Sequence, residues 1–241
     1  GFPHIWSIYQ PYVMEDTGWS QTATSLCFYV YFIFFVFGNI LGGRLQVQYT
    51  PKLPIWTGGG IFTAGLLLAS FSLTSVPLFM YLTYGIFQGT GQGMIYSTII
   101  STAQKWYPDR PGFASGVIVT ANGLFGFVMA PFCRKMLETT GINQNFLLMG
   151  ILVGISWILS GSLIDNPPDI RKEKNPRFSG ENTCTPREMI HTREYYFLTA
   201  VMFFGLLPYM LISPVAQSLQ TMRGISVPAA VAAVMAGSIC N

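Results

Sequence analysis

Apolar stretches of about twenty residues, separated by short polar punctuation, recur along this chain and constrain its fold more than any motif in it. A bilayer core about 30 Å thick is crossed by about 20 helical residues rising 1.5 Å each. Lipid offers no partner to a backbone N–H or C=O, so the α-helix is the form such a stretch must take. Crossings are expected at residues 20–42, 54–74, 78–104, 112–133, 143–164 and 195–219. Composition agrees: 10% of the residues are charged and 51% hydrophobic, where an ordinary soluble domain carries about 25% charged residues. The opening "GFPHIWSIYQPYVM" is apolar and uncharged but too short to span, and it lacks the basic start and small-residue cleavage pattern of a secretory signal. It reads as the outer part of a helix begun upstream. At the other end "VPAAVAAVMAGSICN" begins a further apolar helix. The expectation is an all-α integral membrane protein with six full and two partial crossings.

Lys and Arg set the orientation. With Glu15 and Asp16 in an external loop, ten of the thirteen basic residues fall on the cytoplasmic side, from Arg44 and Lys52 to Arg187 and Arg193. Arg134, Lys135 and Arg223 remain outside. The formal charge of +3 therefore reports topology, and nothing in it suggests a nucleic-acid partner. The segment 165–194 breaks the rhythm of short connections, with four prolines and six basic and six acidic residues. It reads as a cytoplasmic linker between bundles. The expected organisation is an N-terminal bundle at 1–164, this central loop, and the start of a second bundle at 195–241. The expected location is a membrane crossed many times, taken as the plasma membrane, with the lipid bilayer as a partner.

Several chemistries are excluded. The glycines of "GTGQGMIY" follow neither nucleotide-binding spacing, and they sit in an apolar run from Met80 to Ala103 without a charge to meet a phosphate. Cys27, Cys133, Cys184 and Cys240 include no CxxC pair, and Cys27, Cys133 and Cys240 read as buried structural thiols. His4 and His191 have no acid or cysteine arranged beside them for metal binding or nucleophilic attack. No cofactor, metal site or catalytic residue is expected.

"KWYPDRPGFASG", between a glycine-rich fourth helix and a small-residue fifth, resembles the oxalate/formate antiporter family of the major facilitator superfamily. There a W-[FY]-P-D-[RK]-R-G-x-A-x-G pattern occupies this place. "IWSIYQPYVMEDTGWS" extends the resemblance to the first helix, and the chain is similar, less closely, to eukaryotic monocarboxylate transporters. The resemblance implies a two-bundle fold that moves small carboxylate anions by alternating access. It also implies an arginine in the eighth helix and a lysine in the eleventh, both expected beyond Asn241. The chain departs from the pattern at Pro111, where a second basic residue is usual, and in "GGRLQVQYTPK". There Val47 stands at the acidic position, Gln48 at the arginine, Thr50 at the glycine and Pro51 at the next basic residue. Asp109 and Arg110 then become the charge pair expected at the inner gate, with Arg44 as another substitute.

Polar residues inside the spans are the substrate candidates. Tyr84, Gln88, Gln92 and Tyr96 recur every fourth residue on the fourth helix, the first adds Tyr9 and Gln10, and the fifth adds Asn122. Their hydroxyls and amides can donate to a carboxylate without bringing a charge, and Gln88 is expected to be the central donor. Gly85, Gly89 and Gly93, with Gly112 and Gly116 on the next helix, read as packing surfaces. Gly205, Pro208 and Pro214 mark a kink and hinge in the seventh helix. Anion exchange of the oxalate/formate type leads. A proton-linked monocarboxylate carrier and a transporter-like protein without transport are the alternatives, and a membrane enzyme lacks the clustered acid, His or Cys it would need.

Overall fold

A computed structural model describes residues 2–72, 77–164 and 186–239. A 3-10 turn, Phe2–Ile5, leads into α1, Trp6–Thr17. α1 ends at Gly18, whose φ of 69° is left-handed and lets its N–H reach the Met14 carbonyl at 2.9 Å. Two residues later the Ser20 hydroxyl accepts the Ala23 N–H at 3.3 Å, satisfying an open donor at the start of α2, Gln21–Gln48. α2 outruns its expected end because its last turns are held: Ser101 Oγ donates to Gln46 Oε1 at 2.5 Å.

α3 spans Lys52–Ser72. The fourth crossing is built in series from α4, Pro77–Met80, a π-helical stretch, Tyr81–Gln88, and α5, Gly89–Trp106. π winding is rare and concentrates at functional sites. A tight turn, in which the Arg110 N–H bonds the Tyr107 carbonyl at 3.1 Å, passes the chain to α6, Pro111–Leu163. Pro111 suits the first helical position, where no N–H is needed.

α6 is two crossings in one element. Its arms meet at Gly141, where φ 81° and ψ 177° are open only to glycine. The expected external loop over 134–142 is thus helix almost to its tip, and Arg134 and Glu138 pair across one helical turn at 2.8 Å. Asn145 closes the hairpin, its Nδ2 donating to the Cys133 carbonyl at 3.1 Å. Further on come α7, Pro186–Met189, and α8, Arg193–Ile212. A 3-10 turn, Ser213–Val215, then leads to α9, Ala216–Met222, and α10, Val227–Ile239. Residues 165–185, with Cys184 and most of the charged linker, and Cys240 with Asn241, lie outside the described residues.

The chain divides into two compact units, Gly1–Pro167 with Pro214–Asn241, and Pro168–Ser213. In the first, α10 packs on α6 and buries Ala230 and Val231, while α9 meets α1 and buries Gln217. In the second, α8 buries none of its residues.

Glycine decides the packing of the first unit, because lipid tails are as apolar as leucine and helices in a membrane associate by close backbone approach. A methyl placed on Gly42 of α2 would stand 2.6 Å from the Met94 carbonyl of α5. One on Gly91 of α5 would stand 2.5 Å from the Gly58 carbonyl of α3. Gly85, Gly89 and Gly93 face α2 in the same way, as their spacing implies. Gly112 and Gly116 do not: a methyl on either meets nothing within 4 Å among the described residues. A G-x-x-x-G pattern marks a surface able to pack, and this one has no described neighbour against it. The second arm of α6 lies on α3 through Trp157, whose ring covers Gly59 and whose Nε1 donates to Thr63 Oγ1 at 2.7 Å.

A mid-membrane cavity walled by two helical faces

The fold places one helical face of α5 opposite one of α6. Gln92, Ile95, Tyr96 and Ile99 follow i, i+3, i+4, i+7 spacing on α5, and Ile118, Ala121, Asn122 and Phe125 repeat it on α6. All eight line a cavity of about 480 Å³, together with Phe2, Phe62 of α3, and Val153 and Ser156 of the second arm of α6. The two faces stand at matching heights. Ile99 and Ile118 each lie seven residues from the end of their helix at the Tyr107–Arg110 turn, and Gln92 and Phe125 each lie fourteen. At 1.5 Å per residue the cavity spans from about 10 to about 21 Å along the helices from that end.

Four uncharged polar side chains reach this space: Gln92, Tyr96, Asn122 and Ser156. Gln92 is held from α2, because Tyr31 donates its hydroxyl to Oε1 at 2.5 Å, and its amide nitrogen carries two N–H donors. Tyr96 has its ring centroid 5.5 Å from that of Phe35. Among the described residues no Asp, Glu, Lys, Arg or His lines the cavity. Such a wall can hydrogen-bond an anion and cover its apolar parts, but it cannot neutralise a charge.

The seven expected substrate residues separate into two layers. Gln92, Tyr96 and Asn122 line the cavity. Tyr9, Gln10, Tyr84 and Gln88 do not, and each is buried in packing outside it. Tyr9 donates to Asn145 Oδ1 and stacks on Phe146 at 5.1 Å, while Tyr84 lies 4.3 Å from Trp6. Gln10 ties α1 to the start of α2, with Nε2 at 2.8 Å from Ser25 Oγ and 3.0 Å from Thr24 Oγ1. Gln88 is eighteen residues from the end of α5, about 27 Å up at helical rise, with its Cγ against Gly65. Neither end of its amide has a partner among the described residues. A four-residue repeat drifts around a helix, and π winding between Tyr81 and Gln88 turns it further, so one stripe in sequence serves two levels in space. Sequence reasoning also passed over Ile95, Ile99, Ile118 and Phe125. Their signal was the same i, i+3, i+4, i+7 face on both sides of one turn.

At the turn between α5 and α6 Asp109 and Arg110 are exposed, and neither forms an ion pair among the described residues. The contacts there are neutral: Ser101 to Gln46, and Gln104 Nε2 to Ser115 Oγ at 2.8 Å. In the seventh crossing Gly205 and Pro208 lie inside continuous α8, and Pro214 sits in the turn where the helix breaks.

Comparison with known families settles the wider identity of this architecture, since the family description "Major Facilitator Superfamily" matches residues 3–241. The chain belongs to the Major Facilitator Superfamily. Among curated members the chain is similar to the oxalate:formate antiporter of Oxalobacter formigenes, 27% identical over 203 residues, which covers 84% of this chain and 48% of that protein. It is 27% identical to monocarboxylate transporter 13 of Bos taurus over 128 residues, covering 53% of this chain and 29% of the relative. It is 21% identical to the MFS-type transporter YhjX of Escherichia coli strain K12 over 242 residues, covering 60% of that protein. The chain spans about half the length of the curated relatives it matches. As a member of this superfamily it is a multi-pass membrane protein.

Proposed function

We propose that the protein is a secondary transporter of small carboxylate anions working by alternating access, an exchanger of the oxalate/formate kind, and not an enzyme. The observation that carries this reading is the cavity between α5 and α6, with uncharged donors and no carboxylate or basic side chain among its described lining residues. Gln92, Tyr96 and Asn122 would hold the carboxylate oxygens, and cations from elsewhere in the intact protein would meet the charge. A wall free of acids also favours exchange over proton-coupled symport, which usually keeps a titratable acid in its spans. A proton-linked monocarboxylate carrier is the second reading, supported by the similarity to monocarboxylate transporter 13. We place the protein in the plasma membrane, with the break at Pro214 as the hinge of its seventh crossing.

The test is counterflow in liposomes carrying the intact protein and loaded with unlabelled formate. Entry of labelled formate or oxalate that depends on the internal anion supports exchange. Uptake driven by an imposed proton gradient with no internal anion supports the second reading. Uptake equal to protein-free liposomes under both conditions rejects carboxylate transport.

A further inference from the structure

His4 stands apart among the ionisable side chains of the first unit. The other Asp, Glu, Lys, Arg and His residues described there lie within seven residues of a turn joining two helices, Arg134 being seven from Gly141. His4 belongs to the 3-10 segment Phe2–Ile5, thirteen residues before α1 closes at Thr17. The ring of Phe2 lies 6.5 Å from that of Phe125, which is fourteen residues from Pro111 and sixteen from Gly141. The segment is therefore level with the middle of the first arm of α6, a helix long and apolar enough to cross a membrane. Ionisable residues at such depth are costly, face a bundle interior or a watery cavity, and mark ion or substrate paths. The segment buries Phe2, Pro3 and Ile5, while His4 is half-buried, so its imidazole is the group that reaches open space. Phe2 lines the cavity, and His4 is two residues from it, about 4 Å along at 3-10 rise.

The elements packed against this segment are α1, α6 and α10. α1 presents the phenols of Tyr9 and Tyr12, with Glu15 and Asp16 eleven and twelve residues beyond His4. α6 presents the Cys133 thiol; Arg134, nine residues past Phe125, stands about 10 Å farther along than His4, with Lys135 and Glu138 beyond it. From the π-helical stretch comes Tyr84, its ring 6.1 Å from that of Phe2. α10 has no ionisable side chain between Val227 and Ile239. Ordinary phenols and thiols are largely uncharged at neutral pH, whereas imidazole changes charge there. A protonated His4 thus meets no fixed carboxylate of these elements at its own level, and an arriving anion stabilises it.

We propose that His4 is the charge-bearing residue of the carboxylate site. Its imidazole takes a proton from solvent as the anion enters, and the imidazolium meets one negative charge that Gln92, Tyr96 and Asn122 can only hydrogen-bond. The proton returns to solvent when the anion leaves. During exchange one proton accompanies the anion in each direction and the two cancel, so affinity depends on pH while net flux carries no proton. The proposal rests on the carboxylate reading of the cavity.

The experiment measures counterflow of labelled formate in liposomes carrying the intact protein, at equal pH on both sides, set in steps from about pH 6 to about pH 8. A carboxylic acid stays ionised throughout this range. Apparent affinity of the parent should fall about tenfold from about pH 6.5 to about pH 8, following the imidazolium fraction. His4→Asn and His4→Gln should show the weak, high-pH affinity at every pH. His4→Arg should keep an affinity near the parent's low-pH value at every pH. A histidine with a structural role alone would lower stability without flattening the profile. Detergent melting curves identify variants that have misfolded, and any one folded variant decides. A flat parent profile overturns the proposal, as does a folded neutral variant that keeps the parent's slope; in both cases carboxylate transport stands. No formate counterflow by the parent at any pH overturns the carboxylate reading together with the proposal.

Discussion

Tyr31 on α2 donates its hydroxyl to Oε1 of Gln92 on α5 at 2.5 Å, so a cavity-lining amide is held by a residue that does not line the cavity. Tyr31 is fully buried, with rings of Phe32, Phe35 and Tyr84 around it, and has no freedom to aim elsewhere. The consequence is a pair of substitutions with unequal effects. Tyr31→Phe keeps the ring and loses one hydrogen bond, worth about 0.5–1.5 kcal/mol, so carboxylate affinity should fall about two- to tenfold. Gln92→Leu removes the donor itself and should cost about 1.5–3 kcal/mol, or ten- to a hundredfold. Adding Tyr31→Phe to Gln92→Leu should change affinity no further. Uptake kinetics of the three variants measure this, and independent, additive losses would break the link between the two residues.

Gln88 carries the opposite expectation. Its side chain is fully buried, outside the cavity lining, and its amide has no partner among the described residues. An unpaired buried polar group costs about 1–3 kcal/mol. Gln88→Leu should therefore raise the melting temperature in detergent and leave uptake affinity within about twofold. A tenfold loss of affinity at unchanged stability would return Gln88 to the substrate site.

Close backbone approach makes glycine positions unequal. Gly91→Ala would put a methyl 2.5 Å from the Gly58 carbonyl and 2.6 Å from the Phe62 nitrogen, where backbone must move. Overpacking of this kind costs about 1–3 kcal/mol. Gly116→Ala meets open space and should be neutral or slightly stabilising. Detergent melting curves of the two variants should differ by several degrees, and equal curves would show that α5 and α3 relax apart.

Gly141→Ala should also destabilise the protein, by about 1–3 kcal/mol, though nothing lies within 4 Å of the added methyl. The cause is backbone alone, since φ 81° with ψ 177° is closed to alanine. A melting curve matching the parent would mean that the hairpin adopts another turn at no cost.

The turn between α5 and α6 supplies the last contrast. Ser101→Ala deletes the 2.5 Å bond that ties the end of α2 to α5, whereas Asp109 is exposed and has no ion partner among the described residues. Thiol labelling from the cytoplasmic side, at a cysteine introduced for Val47, should rise severalfold more with Ser101→Ala than with Asp109→Asn. The reverse order would assign the latch to the acid.

The all-helical membrane class was legible in the sequence because lipid allows few alternatives: stretches of apolar residues long enough to span must be helices. Among the described residues four helices are long and apolar enough to cross a membrane, one of them, Pro111–Leu163, covering two of the expected crossings, and the expected direction rests on Lys and Arg in the loops alone. The glycines of the fourth crossing were legible too, since only close approach gives Gly85, Gly89 and Gly93 a common face against a neighbour. The sequence could not say whether a neighbour exists, and so the same spacing at Gly112 and Gly116 pointed to a contact the described structure lacks. The height of each polar residue was likewise beyond it. Gln88 and Gln92 lie one turn apart in sequence, yet the π-helical stretch ending at Gln88 and the tilt of packing place one against Gly65 and the other in the cavity. The cavity itself is a tertiary product, formed where the faces of α5 and α6 are brought to equal heights by the short turn at Tyr107–Arg110, with Phe62 and Val153 closing it from helices distant in sequence. Periodicity fixes which residues share a face of one helix, and only packing fixes what that face meets.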